Sequence, residues 1–356
     1  MAETALRILQ INTERGWRGG ERQTLLTAVG LRERGHAVEL LVREGSALAA
    51  RARALGLVVH TAGGGFSFGC WLALHGKRYE VLHAQTAKVV AWAVAVAPAH
   101  RRPVVFSRRT SFPVGAGVWL TRLKWRRLDQ MVAISEAAAD APRALGVSTQ
   151  VISSAVLPIA IDTGRTQHFL KHRALEGKRL VGTAAALSVE KDPVTLIHAA
   201  AKVCAQFEDV VFVHWGAAGA ASHAAQQAIA ELGLQDRYLL LGFEPEVEQL
   251  FAVLSVFVMA SRYEALGSSV LDAMLQNVPV VSTDAGGLKE TVSAGRGLVC
   301  APGDVATMAA HISFMLAQPE QAQAMAEVAC AAVRAEYAVE SMVERYIEVY
   351  RDVLGT

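Results

Sequence analysis

Glu264 and Asp272, eight positions apart, are carboxylates placed to do chemistry on a polyhydroxyl ligand. Ionised carboxyl groups only accept hydrogen bonds, which suits the hydroxyls of a sugar and of a ribose. Glu264 belongs to Ser261-Arg262-Tyr263-Glu264-Ala265-Leu266-Gly267, read as the loop between the carboxyl end of a strand and a helix. Eight residues make just over two helical turns, so Asp272 on that helix can point at the same ligand. Gly267 lets backbone approach closely. The N–H groups around Leu266, Gly267 and Ser268, at the helix start, would hold a phosphate. A plain helix N-terminus matched by an acid would explain Glu264 alone. It would not explain the ordered continuation through Ala273-Met274, Pro279 to Asp284 and Gly286-Gly287.

Cations stand elsewhere in similar settings. Lys191, in Val189-Glu190-Lys191-Asp192, follows a strand and precedes a helix. Taken alone, a solvated lysine on a turn is the better reading. Arg108-Arg109 follows the strand-like Val104-Val105-Phe106, and an arginine there would bind a phosphate or an acidic group. His83 ends Val81-Leu82 and is read equally as a reacting group or as a half-buried structural histidine. Gly19-Gly20 after the first strand reads by itself as a tight turn. Phe243, after Leu241-Gly242, reads by itself as an ordinary strand-end contact.

The elements that must position these groups alternate. Leu6–Ile11, Val38–Val42, Val58–His60, Val81–His83, Val104–Phe106 and Gln130–Ile134 read as strands, separated by helical stretches such as 21–34 and 47–55 and by a glycine-rich loop at 63–69. The pattern resumes with strands at 180–186, 210–215, 238–241, 256–259 and 278–282. Alternation of this kind predicts parallel sheets covered on both faces. The polar stretch 162–178 reads as a linker. This gives an α/β chain of two Rossmann-like domains facing a central cleft, 1–165 and 175–339, followed by a final helical segment 340–356.

Composition narrows the classes. A chain of 356 residues, 52% hydrophobic and of formal charge +2, is globular and carries no bulk affinity for nucleic acid. Its four cysteines are widely spaced, without C-x-x-C or histidines at ligand spacing, and read as small buried apolar residues in a reducing cytoplasm. No metal site is expected. Met1-Ala2-Glu3-Thr4 shows no basic leader, and the longest apolar run, Val89–Pro98, is short of the about 20 residues a membrane span needs. Between Arg101 and Arg127 lie eight cations with Phe112, Trp119 and Trp125 among them, either a stretch for an anionic membrane surface or a solvated helix face with core tryptophans.

The Glu264 block resembles the E-x7-E motif of the retaining GT-B glycosyltransferases of family 4. The resemblance covers nearly the whole chain: Gly19-Gly20-Glu21, Arg34-Gly35-His36, Ile134-Ser135-Glu136 and Glu190-Lys191 fall in that family's order. It implies a metal-independent transferase that moves a hexose-type sugar from a nucleotide diphosphate to a glycan or lipid-linked acceptor, commonly in cell-envelope polysaccharide or lipopolysaccharide assembly. By the same resemblance Glu264 lies near the anomeric centre, the acid at position 272 holds the ribose, Lys191 holds the diphosphate, Gly19 and Gly20 face it, and Phe243 neighbours the base. Three positions depart from the pattern: Asp272 stands where relatives carry glutamate, Ala186 where they carry a second cation, and Arg109 where many carry histidine. The loss at Ala186 keeps open a nucleotide-sugar-binding homologue without transfer activity, and a sugar-nucleotide epimerase shares the fold. A dehydrogenase would need a G-x-G-x-x-G opening the first helix, and none is there.

Overall fold

The computed structural model describes residues 4–356 apart from Pro113 and Ala116. Met1-Ala2-Glu3, on which the reading of the N-terminus rests, lie outside the described residues. The chain divides into two compact units, one running to Ala155 and including Tyr337–Thr356, the other spanning Val156–Glu336.

Seven parallel strands build the sheet of the first unit: β1 (Arg7–Asn12), β2 (Ala37–Arg43), β3 (Val58–Ala62), β4 (Val81–Ala84), β5 (Val104–Arg108), β6 (Gln130–Ala133) and β7 (Thr149–Val151), in the order β3-β2-β1-β4-β5-β6-β7. The second sheet has six: β8 (Arg179–Ala184), β9 (Val210–Trp215), β10 (Tyr238–Gly242), β11 (Leu254–Met259), β12 (Val280–Thr283) and β13 (Leu298–Cys300), ordered β10-β9-β8-β11-β12-β13. Central strands such as β4 and β9 are buried at every position, because helices cover both faces of a parallel sheet. In each sheet the strand order reverses once, beside β1 in the first and beside β8 in the second. Open α/β sheets bind ligands beyond the carboxyl ends of strands at such a reversal. Both units are therefore Rossmann-like, as the alternation of elements predicts.

Two segments and one cysteine differ from the reading of the sequence. The polar stretch taken as a linker contains a helix, Thr163–His172, in the second unit. Asp162 caps it by accepting from Arg165 N at 3.0 Å, and Phe169 packs on Trp215 of β9 with ring centroids 5.6 Å apart. Thr166 is the one buried residue of this helix, so no apolar stripe marks it in the sequence. The glycine-rich segment at 63–69 is also mostly helical, Gly65–His75. Gly65 and Gly69 lie one turn apart, and a Cβ on either would come within 2.8 Å of the Trp92 indole, so here glycine serves close packing between helices. Of the four cysteines expected to be buried, Cys300 and Cys330 are, Cys204 is intermediate, and Cys70 is exposed, which corrects that reading.

The basic, aromatic stretch splits between two environments. Helix Val118–Trp125 buries Trp125, with the Arg108 guanidinium 5.2 Å over its ring, and leaves Val118, Trp119, Leu120 and Leu123 exposed. No helix among the described residues is long and apolar enough to cross a membrane.

Candidate active site

In the second unit, two loops meet at the strand-order reversal. The loop after β8 carries Lys191 in a 3-10 turn, Val189–Lys191, and the loop after β11 carries Glu264. Adjacent strands bring their following loops together, and the Lys191 ammonium forms an ion pair with Glu264 Oε2. Both side chains are partly buried, which strengthens the pairing over that of an exposed bridge. A second ion pair lies beside the first: Arg262 Nε donates to Asp192 Oδ2 at 2.7 Å. Asp192 is buried and also caps helix Pro193–Cys204, accepting from Thr195 N at 3.3 Å and from Thr195 Oγ1 at 2.8 Å. Backbone ties the same loops, with Arg262 N donating to Glu190 O at 2.8 Å.

The loop that presents Glu264 is held along its length. Thr283 Oγ1 donates to Ser261 O at 2.6 Å, Gly287 N to Glu264 O at 3.0 Å, and Thr291 Oγ1 to Leu266 O at 2.9 Å. Gly267 has φ +88°, a left-handed conformation that glycine adopts without steric cost, and starts helix Ser268–Leu275. Gly287 abuts the loop so closely that a Cβ there would stand 2.1 Å from Ala265 O.

The remaining residues expected to bind donor are distributed. Ser268 opens the helix and is partly exposed, whereas the Leu266 side chain is buried in the core, leaving only its backbone for a ligand. Phe243 follows β10 and is 58% exposed, a ring face available for stacking. Its neighbour Glu244 is held by Arg165 at 2.6 Å. Asp272 is 7% exposed and lines a cavity of about 60 Å³ with Glu248, Gln276, Arg334 and Leu157–Ile159. The walls of that cavity include neither Glu264 nor Lys191.

In the first unit, Gly19 and Gly20 are the opening residues of helix Gly19–Glu33 rather than a turn before it. Glu21, buried in its first turn, accepts from Arg18 N at 2.9 Å, and burial pushes its carboxyl above the usual range. Arg109 lies just past β5, with Nη2 donating to Gln85 Oε1 at 2.7 Å and Nη1 to Ser154 Oγ at 3.1 Å. His83 does not face a ligand. It is fully buried, bonded through Nδ1 to the Tyr350 hydroxyl at 2.7 Å and through Nε2 to Ser107 Oγ at 2.8 Å. Burial, with the Arg109 charge nearby, holds its imidazole well below the usual range and hence neutral. The structural reading is the one its surroundings support.

Reading the sequence missed the Arg262–Asp192 pair and the two tyrosines of the last helix, Val339–Leu354, that reach His83 and Ser107. Arg262 lies inside the motif but has no spacing of its own to mark it. Tyr346 and Tyr350 are separated from their partners by more than 200 residues of chain. Among the described residues no three His, Cys, Asp or Glu side chains gather as a metal site requires.

Known proteins place this arrangement. The family profile for glycosyltransferase family 4 matches residues 17–165, and that for glycosyl transferases group 1 matches 164–330. The chain is 33% identical over 187 residues to the 2-deoxystreptamine glucosyltransferase of Streptomyces kanamyceticus, covering 49% of this chain and 48% of that one, about half the relative's length. It is 27% identical over 288 residues to a lipopolysaccharide core biosynthesis mannosyltransferase of Rhizobium leguminosarum bv. viciae, covering 72% of this chain and 81% of the relative. In fold it is similar to Anabaena HepE, solved in complex with UDP-glucose: TM-score 0.86 at 21% identity, covering 98% of this chain and all of the other. With both Rossmann-like units matched in tandem, the chain belongs to the GT-B glycosyltransferases of the family 4 type.

Proposed function

We propose that this protein transfers a hexose-type sugar from a nucleotide diphosphate donor to a glycan or lipid-linked acceptor, with retention at the anomeric carbon and without a metal. The observation that carries the reading is the Lys191–Glu264 contact at the strand-order reversal of the second unit. A cation that can leave its carboxylate for a diphosphate offsets the charge that develops on the departing phosphate. Glu264 is then freed beside the sugar. Phe243 offers its ring to the base, and the first-turn N–H groups at Gly267 and Ser268 face the phosphates. The mannosyltransferase relative supports a role in lipopolysaccharide or other envelope polysaccharide assembly.

One assay tests the chemistry. The purified protein is given uridine, guanosine and adenosine diphosphate sugars in the presence of a chelator, and product linkages are read by proton NMR. Turnover of one donor class with the anomeric configuration retained is the expected result. An inverted product would refute retention, and activity only on adding manganese or magnesium would refute metal independence. Binding without turnover would favour the non-transferring homologue, and isomerised donor sugar the epimerase.

The acceptor side is read as an anionic membrane surface on the cytoplasmic face. The supporting observation is helix Val118–Trp125, whose Trp119 is 68% exposed and whose Leu120 and Leu123 are exposed with it, next to the exposed cations Arg122, Arg126 and Arg127. Each such cation contributes about 1 kcal/mol near an anionic surface. Co-sedimentation with anionic vesicles should be strong at low salt and fade as salt screens the charges. Equal recovery of wild type and of a variant with all three arginines changed to Ser would refute the surface and point to a dissolved acceptor.

A further inference from the structure

Arg109 carries a charge that its own unit does not neutralise. Its two hydrogen-bond acceptors, Gln85 Oε1 and Ser154 Oγ, are neutral, its buried Nε has no hydrogen-bond partner, and it forms no ion pair among the described residues. The groups that favour its charge are the Tyr346 hydroxyl first and then Glu21, which is buried and accepts from Arg18 N at 2.9 Å and from Asn12 Nδ2 at 3.5 Å. Arg109 is partly buried, and a guanidinium drawn out of water without a carboxylate is unfavourable unless a ligand supplies the opposite charge.

The surroundings fit that use. A Cβ at Gly20 would stand 3.8 Å from Arg109 Cδ, so the first turn of helix Gly19–Glu33 runs alongside the arginine with only hydrogen at the point of approach. The N–H groups of a first helical turn have no carbonyl four residues back and favour an anion. The acceptors that aim Arg109 are themselves fixed. Gln85 Nε2 donates to Gln10 Oε1 at 2.6 Å, which turns Gln85 Oε1 toward the guanidinium, and Gln10 Nε2 donates to the Tyr350 hydroxyl at 3.2 Å. His83 bridges Tyr350 to Ser107, and Ser107 meets the Tyr346 hydroxyl at 2.7 Å. A neutral, fully bonded network behind a charged head is how a protein presents a cation without quenching it.

We infer that Arg109 is an anion-binding residue of the first unit, taking a phosphate or carboxylate group of a substrate. The anion site stands on the geometry of this unit, and only the identity of the substrate rests on the transferase reading. Either the donor's diphosphate or an acidic group on the acceptor would supply the anion.

Inorganic phosphate is titrated calorimetrically into the full chain as wild type, Arg109→Gln, Arg109→Lys and Lys191→Ala, with melting curves confirming that each is folded. Phosphate affinity should fall at least tenfold in Arg109→Gln, recover in part in Arg109→Lys and persist in Lys191→Ala. Unchanged affinity in Arg109→Gln, with loss in Lys191→Ala, would overturn the inference and leave the donor reading standing. No phosphate or uridine diphosphate binding by wild type would overturn both. The source follows from two further measurements. Weakened uridine diphosphate binding in Arg109→Gln assigns the anion to the donor, and unchanged nucleotide affinity with a tenfold higher KM for an acidic acceptor assigns it to the acceptor.

Discussion

Glu264→Gln should lower transfer by about 10²–10³ while the second unit stays folded. The amide keeps the shape of the side chain and removes its charge, so the loop held by Thr283, Gly287 and Thr291 has no reason to move. What changes is the partner of Lys191, which now faces a neutral group. The effects on binding and on rate should therefore separate. Affinity for a nucleoside diphosphate holds or rises, because Lys191 is no longer tied to a carboxylate, and kcat falls. Lys191→Ala should do the reverse to binding, leaving Glu264 uncompensated and weakening nucleotide affinity by roughly 1–3 kcal/mol. Calorimetry with the nucleotide and initial rates with the donor sugar measure the two effects. A folded Glu264→Gln protein that retains more than a tenth of wild-type turnover would remove Glu264 from the reaction.

Gly287→Ala should damage stability and activity together. The new Cβ would lie 2.1 Å from Ala265 O, 2.7 Å from its carbonyl carbon and 2.9 Å from Leu266 Cα, all backbone of the loop that presents Glu264. No flexible side-chain end is there to yield, so the loop itself must shift. Overpacking of this kind costs about 1–3 kcal/mol, which lowers the melting temperature by about 2–4 °C per kcal/mol in a unit of this size. Because Gly287 N donates to Glu264 O, the shift also separates Glu264 from Lys191, and activity per folded molecule should fall at least tenfold. Differential scanning calorimetry and rates normalised to folded protein check both parts. A destabilised variant with full specific activity would show that the loop does not need its place against Gly287.

Much of this architecture is legible in the chain. Strands buried on both faces must be continuous apolar runs, as Val210–Trp215 is, and their alternation with helices leads to parallel sheets. The Glu264 block is legible too, because a strand end, a left-handed glycine and a helix start are local features that need neighbouring residues in a fixed order. Short edge strands such as Thr149–Val151 and Leu298–Cys300 are not, since three residues carry no period. Nor is the helix Thr163–His172, whose buried contacts come from residues remote in sequence.

The candidate site divides along the same line. Residue type and order alone placed an acid and a lysine after strands of the second domain, and marked the chain as of the glycosyltransferase type. Only the tertiary structure decided which charges are neutralised. Lys191 meets Glu264 across 73 positions of chain and Arg262 meets Asp192 across 70, whereas Arg109 is surrounded by neutral oxygens. His83 and Arg109 look alike in sequence, each polar and each at a strand end. One is enclosed by tyrosines from a helix more than 250 positions away and the other keeps its charge, because burial and pairing depend on which distant elements pack there.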